Sequence, residues 1–172
     1  DTLGNVIGRK GKGRKVMIAS HMDEISMAVK SITEKGFLKF VKVGGIYDPM
    51  LIGARVVVHA QERRLGVVAS KAPHGMDGEE MKKIQEAKDL YIDIGVSSKK
   101  EAEKLGIRPG THITFSGTFD HLNEHWVSGK AFDNRVGCTV NVGIAEAYAN
   151  ATPPVELCLV GSVREESGLF GA

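Results

Sequence analysis

The stretch Val16-Met17-Ile18-Ala19-Ser20-His21-Met22-Asp23 organises the chain. Residues 16–20 carry no formal charge and predict a buried strand. Side chains two apart on extended backbone share a face. His21 and Asp23 therefore leave the strand together, one nitrogen donor beside one carboxylate. The C-terminal ends of strands are where open α/β sheets place their ligands.

A second stretch has matching texture. Val136, Val140, Ile144 and Ala147 recur at helical spacing, with Cys138, Val142 and Ala145 widening the stripe. Gly137 and Gly143 suggest close packing of this helix on a sheet. Pro153-Pro154 ends the connection, and residues 155–163 read as an apolar strand of the kind buried in parallel sheets. The fold class is α/β, with the sheet interrupted by something else.

That interruption is all-β. Short β-branched or alternating runs recur at 27–32, 37–43, 55–60, 65–70, 90–94 and 112–116. Gly36, Gly44-Gly45, Asp48-Pro49, Gly66 and Pro73 punctuate them, which predicts a sandwich or barrel. Residues 79–88 predict a polar, weakly amphipathic helix. Ser98-Lys99-Lys100-Glu101 is a capping-box pattern for another, closed by Gly106 with Pro109 beyond. The division is 1–26 for the first part of an α/β domain, 27–118 for the inserted β domain and 119–172 for the second α/β part. At the N-terminus, the glycine-rich run 8–15 precedes a strand rather than a helix and lacks the Lys-Ser/Thr pair of a phosphate loop, so it reads as a basic hairpin.

Composition sets bounds. In 172 residues, 42% are hydrophobic and 26% charged, enough for a real core. A net charge of +2 is too small to argue for nucleic acid, and no apolar run is long enough for a membrane-spanning helix. Cys138 and Cys158 form no C-x-x-C pair and no secretory or lipidation pattern is visible, so a cytoplasmic protein is expected. Both ends read as if cut from a longer protein.

Three clusters can carry chemistry: His21-x-Asp23, Ala131-Phe132-Asp133-Asn134-Arg135 and Arg164-Glu165-Glu166-Ser167-Gly168. Taken singly they are mundane. An H-x-D is more often a surface pair, Asp133 is most simply a helix N-cap, and Glu165-Glu166 a solvated turn. Together, at the ends of elements that share a sheet, one imidazole and several carboxylates suit zinc, cobalt or manganese, singly or as a pair. A rival motif, His121-Leu122-Asn123-Glu124-His125, matches the H-x-x-E-H of a mononuclear zinc protease. It needs His121 and His125 on one helix face, whereas Trp126-Val127 favours a strand. His59, His74 and His112 read as structural or surface residues.

At these residues the sequence resembles the TET-type (tetrahedral) dinuclear metallo-aminopeptidases, the glutamyl/leucyl/lysyl aminopeptidase group also labelled endoglucanase or deblocking aminopeptidase. The signatures are Ser20-His21-Met22-Asp23-Glu24-Ile25, Gly129-Lys130-Ala131-Phe132-Asp133-Asn134-Arg135 and Glu165-Glu166-Ser167-Gly168-Leu169-Phe170-Gly171-Ala172. The resemblance implies a phosphorylase/hydrolase-like catalytic domain with an inserted PDZ-like β dimerisation domain. It implies two divalent ions, zinc or cobalt. His21 and Glu166 would be metal ligands, Asp133 would bridge the ions and Glu165 would act as general base. Asp23 would be the carboxylate that orients His21. Peptides would be the substrates, and self-association would run from dimer to dodecamer. Two further family ligands follow Glu166 in chain order, so the chain as given is expected to bind metal poorly and to be inactive alone. Asn134 stands where many members carry a second aspartate. The alternative from another class is a non-catalytic oligomerisation or peptide-binding module.

Overall fold

The computed structural model describes every residue except Met76, Glu80 and Met81. Strands β1 (Val6–Lys10) and β2 (Lys15–His21) come first. Six strands follow: β3 (Ser26–Ile32), β4 (Leu38–Val43), β5 (Arg55–His59), β6 (Arg63–Ala69), β7 (Tyr91–Asp93) and β8 (His112–Phe115), with helix α1 (Lys99–Lys104) between the last two. The chain continues through β9 (Asp120–His121), β10 (Val127–Ser128), helix α2 (Phe132–Ala147) and β11 (Glu156–Ser162). It forms two compact units: Asp1–Glu24 with Phe119–Ala172, and Ile25–Thr118.

The first unit is mixed α/β. Its sheet has the order β1-β11-β2, with β11 parallel to β2 and antiparallel to β1. The expected basic hairpin between β1 and β2 is therefore not formed; β11 lies between them. Five ladder pairs with β1 and seven with β2 outcompete local pairing, a non-local choice that turn residues cannot announce. The parallel register sets Ser162 opposite His21. Both strands thus release their chains at one sheet edge, where His21 and Glu165-Glu166 stand.

Helix α2 packs on this sheet by a different face from the expected stripe. Val136 and Val140 are half exposed, at 53% and 51%, while Asn141 is buried at 7%. The inward face runs through Gly137, Cys138, Asn141 and Ile144, with Tyr148 just beyond the helix. Asn141 is held inside because its amide donates to the carbonyls of Ile18 (3.4 Å) and Val160 (3.1 Å) and to Ser20 Oγ (3.0 Å). The donors of its amide are satisfied by the sheet it faces, while its Oδ1 is buried without a hydrogen-bond partner among the described residues, a placement that a hydrophobic count cannot register. Gly137 does mark a close approach, since a Cβ there would lie 2.9 Å from Ser20 Cβ. Gly143 does not: nothing among the described residues lies within 4 Å of its Cβ position.

The second unit is a closed antiparallel barrel, β3-β4-β7-β6-β5-β8. Strand alternation fills it: Val56 and Val58 of β5 point in, while Arg55 and His59 point out. Met27, Leu38, Ile92 and Ile113 are fully buried, each contributing about 1.5–3 kcal/mol relative to exposure. Helix α1 begins at the capping box. Ser98 Oγ accepts the Glu101 N–H (3.3 Å), and Glu101 Oε2 reaches back to the Ser97 N–H (2.8 Å). Gly106 closes the segment at φ +81°, a conformation that favours glycine.

The helix expected over 79–88 is absent among its described residues, which are turns and irregular chain; Glu80 and Met81 lie outside the described residues. Its backbone groups are claimed by barrel side chains. Asp48 accepts the Ala87 N–H (2.9 Å), and Lys39 Nζ donates to the carbonyls of Lys88 (3.1 Å) and Leu90 (2.9 Å). An N–H that donates to Asp48 is not available to an i→i−4 ladder. Among the described residues no helix is long and apolar enough to cross a membrane.

Candidate metal centre

His21 ends β2 with its ring buried at the sheet edge, 7% exposed. Nδ1 lies 3.1 Å from the carbonyl of Asp23. A carbonyl only accepts, so Nδ1 carries the proton and the lone pair of a neutral ring resides on Nε2. Nε2 in turn faces two carboxylates, Asp133 Oδ1 at 3.0 Å and Glu165 Oε2 at 3.7 Å. A neutral imidazole would set lone pairs against lone pairs there. The geometry calls for positive charge, either a proton on Nε2 or a metal ion.

Asp133 reaches His21 because it is not helical. The chain at the start of α2 passes through Ala131 at φ 61°, then Asp133 (φ −82°, ψ 107°) and Asn134 (φ −123°, ψ 36°). Asn134 takes the capping position instead: its Oδ1 accepts the Gly137 N–H at 3.2 Å. The carboxylate of Asp133 is thus free of backbone duties and 89% exposed. Sequence reading had offered the cap to Asp133; the amide next door fills it.

Glu165 and Glu166 follow β11 on a turn entered through Arg164 at φ 56°. Ligand atoms of His21, Glu165 and Glu166 all lie within 4.8 Å of one another, and this trio is the group of that kind found among the described residues. Asp133 adjoins it through His21. Burial raises the Glu166 carboxyl above its ordinary range, and the neighbouring charge of Glu165 adds to the effect. Burial alone would lower the His21 imidazole. The Asp133 hydrogen bond outweighs it, together with the Asp23 carbonyl and the charges of Glu165 and Asp23, so its pKa is raised.

Asp23 sits beside both. Its carboxylate lies 3.6 Å from His21 Nδ1, farther than its own carbonyl. The two carboxylate oxygens instead accept the N–H groups of Glu165 (3.2 Å) and Glu166 (3.1 Å). Sequence reasoning missed this pairing, as it missed Glu24, whose carboxylate bonds Lys130 Nζ at 2.6 Å. The spacing of H-x-D-E announces two carboxylates but not what they touch.

The rival motif fails on geometry. His121 belongs to β9 and His125 to the turn before β10, a hairpin in which Asn123 Oδ1 accepts the N–H groups of His125 (2.8 Å) and Trp126 (3.0 Å). The two imidazoles do not stand one turn apart on a helix. His59 is bonded to Thr114 Oγ1 at 2.9 Å in the barrel.

Residues 4–172 match the M42 glutamyl aminopeptidase family. The chain belongs to that family. The lysyl aminopeptidase of Pyrococcus furiosus is 34% identical over 183 residues, covering 100% of this chain and 50% of the relative. A TET aminopeptidase from a marine-sediment Thaumarchaeota archaeon superposes with a TM-score of 0.88 at 34% identity, over 97% of this chain and 48% of the other. The TET1 peptidase of Pyrococcus horikoshii, described as assembling into a tetrahedron or a large octahedral shell, gives 0.86 at 34% identity over 99% and 52%. The chain spans about half the length of the curated relatives it matches.

The donor set fits a divalent ion. One imidazole nitrogen with its other nitrogen already hydrogen-bonded, ringed by carboxylates, suits a divalent metal ion.

Proposed function

We propose that the chain contributes the metal-binding edge of a metal-dependent aminopeptidase that removes N-terminal residues from peptides. The carrying observation is His21 Nε2 facing Asp133 and Glu165 while Nδ1 is committed to the Asp23 carbonyl. In this reading two divalent ions, zinc or cobalt, would be held: His21 would be a ligand of one, Glu166 of the other, and Asp133 would be shared by both. Bound there, such ions acidify water and polarise the scissile carbonyl.

The chain's own residues supply the rest. Glu165, whose carboxylate lies 3.7 Å from His21 Nε2, is the general base in this reading: it takes the proton of the attacking water and returns it to the leaving amine. His21 keeps its ring fixed because Nδ1–H is tied to the carbonyl two residues on. Glu166, with its carboxyl pushed up by burial, favours a cation over an unpaired charge. The barrel unit is, by the same proposal, a PDZ-like dimerisation domain, and self-association up to a dodecamer rests on likeness to TET peptidases described as a dodecamer and as a tetrahedron or shell. A cytoplasmic location completes the proposal, supported by two free cysteines.

The test uses the full-length protein. His21→Ala and Glu165→Gln are each expected to lower kcat on peptide substrates by at least about 100-fold. Glu165→Gln should still bind metal stoichiometrically by calorimetry. Turnover within a few-fold of wild type in either variant overturns the assignment.

A further inference from the structure

Two and three residues beyond His21, the last residue of β2, stand two adjacent carboxylates, and each grips a different loop. Asp23 receives the N–H groups of Glu165 and Glu166, one on each oxygen, at 3.2 and 3.1 Å. Glu24, whose side chain is 14% exposed, accepts from Lys130 Nζ at 2.6 Å and lies 3.8 Å from the Arg135 guanidinium. Arg135 Nε also donates to the Met22 carbonyl at 3.3 Å. Lys130 and Arg135 flank the bend that carries Asp133.

We infer that Asp23 and Glu24 form a two-armed brace, Asp23 positioning the Glu165-Glu166 turn and Glu24 positioning the Asp133 bend. The inference rests on the proposed roles of those three carboxylates. Its physics is independent of them. Two successive backbone N–H groups turned to one side make a concavity for an anion, and a carboxylate in it forms charge-assisted bonds stronger than neutral ones. Orientation of the His21 ring does not require the Asp23 carboxylate, because the Asp23 carbonyl already holds Nδ1 at 3.1 Å. The carboxylate is thereby available for the turn. Glu24 bonds Lys130 on one side of Asp133 and lies within ion-pair range of Arg135 on the other, so its loss would free the Lys130 end of the bend and loosen the Arg135 end, which keeps the Met22 carbonyl. Asp23 and Glu24 act through the loops they hold, as positioning residues.

The two arms are separable, and that is the test. In the full-length protein, hydrogen exchange resolved to single amides is measured together with zinc titration by calorimetry. Asp23→Ala is expected to speed exchange at Glu165 and Glu166 about tenfold or more, the loss of one hydrogen bond each. Zinc affinity should weaken about 10–100-fold, as when a partner of a metal ligand is removed. Amides at 131–135 should keep their rates. Glu24→Gln should do the reverse, speeding 131–135 and sparing 165–166, again with weakened zinc binding. Asp23→Asn, which keeps one acceptor oxygen, should recover part of both losses. A general structural defect would loosen both loops in every variant, and that outcome overturns the brace. Unchanged exchange in Asp23→Ala overturns it as well. If wild-type protein binds no zinc, the functional reading falls, while the exchange pattern still decides the brace.

Discussion

At the scale of single residues, the start of α2 shows two neighbours dividing work that either could do. An aspartate and an asparagine both cap helices well. Here Asn134 caps and Asp133 faces His21, because the backbone departs from helical geometry at both positions and turns their side chains apart. Sequence made Asp133 visible as a candidate but could not assign the cap, since that depends on two dihedral angles. The consequence is measurable. Asn134→Ala should cost about 1 kcal/mol of stability in denaturant titration, with zinc affinity changed by no more than a few-fold. Asp133→Asn should do the opposite, sparing stability and losing zinc affinity. Gly137→Ala should be the most destabilising of the three, by about 1–3 kcal/mol. Its new Cβ would meet Asn134 Oδ1 at 2.4 Å and Ser20 Cβ at 2.9 Å.

At the scale of elements, what could be read depended on whether the deciding interactions are local. The strands of the barrel were legible because alternation is a property of consecutive residues, as at Val56 and Val58. The α1 cap was legible because Ser98 and Glu101 act within four residues. The insertion of β11 between β1 and β2, the buried Asn141 and the irregular course after residue 82 were not, since each is set by distant partners. Asp48 is such a partner. Its carboxyl is held below the ordinary range first by the hydrogen bond from Lys42 and then by the Ala87 amide. A carboxyl with a lowered folded pKa stabilises fully above its unfolded value, about 3.9, and loses that contribution as pH falls through the folded value. Wild-type barrel stability should therefore decline below about pH 4. Asp48→Asn should be less stable by about 1 kcal/mol at pH 7 and should converge on wild type in acid. A constant difference across pH would show that the carboxylate charge is not what anchors 42 and 87.

At the scale of the whole molecule, the candidate ligands come from three stretches far apart in sequence, 21–24, 130–135 and 164–166, all within one unit. The parallel pairing of β2 with β11 brings the first and last together, and the turn into α2 adds the second. No such donor group is found in the barrel among the described residues. An ion held only by the folded state stabilises by mass action, about 2.7 kcal/mol at a free concentration 100 times Kd. That stabilisation belongs first to the unit that holds the donors. Zinc at this excess should therefore slow exchange of the most protected amides of β2 and β11 about 100-fold, the same energy expressed as a rate. The amides of Val56, Val58 and Ile92 in the barrel core should keep their rates within a few-fold. Slowing in both units to the same degree would mean that they unfold as one cooperative body, and slowing in neither would remove the metal centre itself.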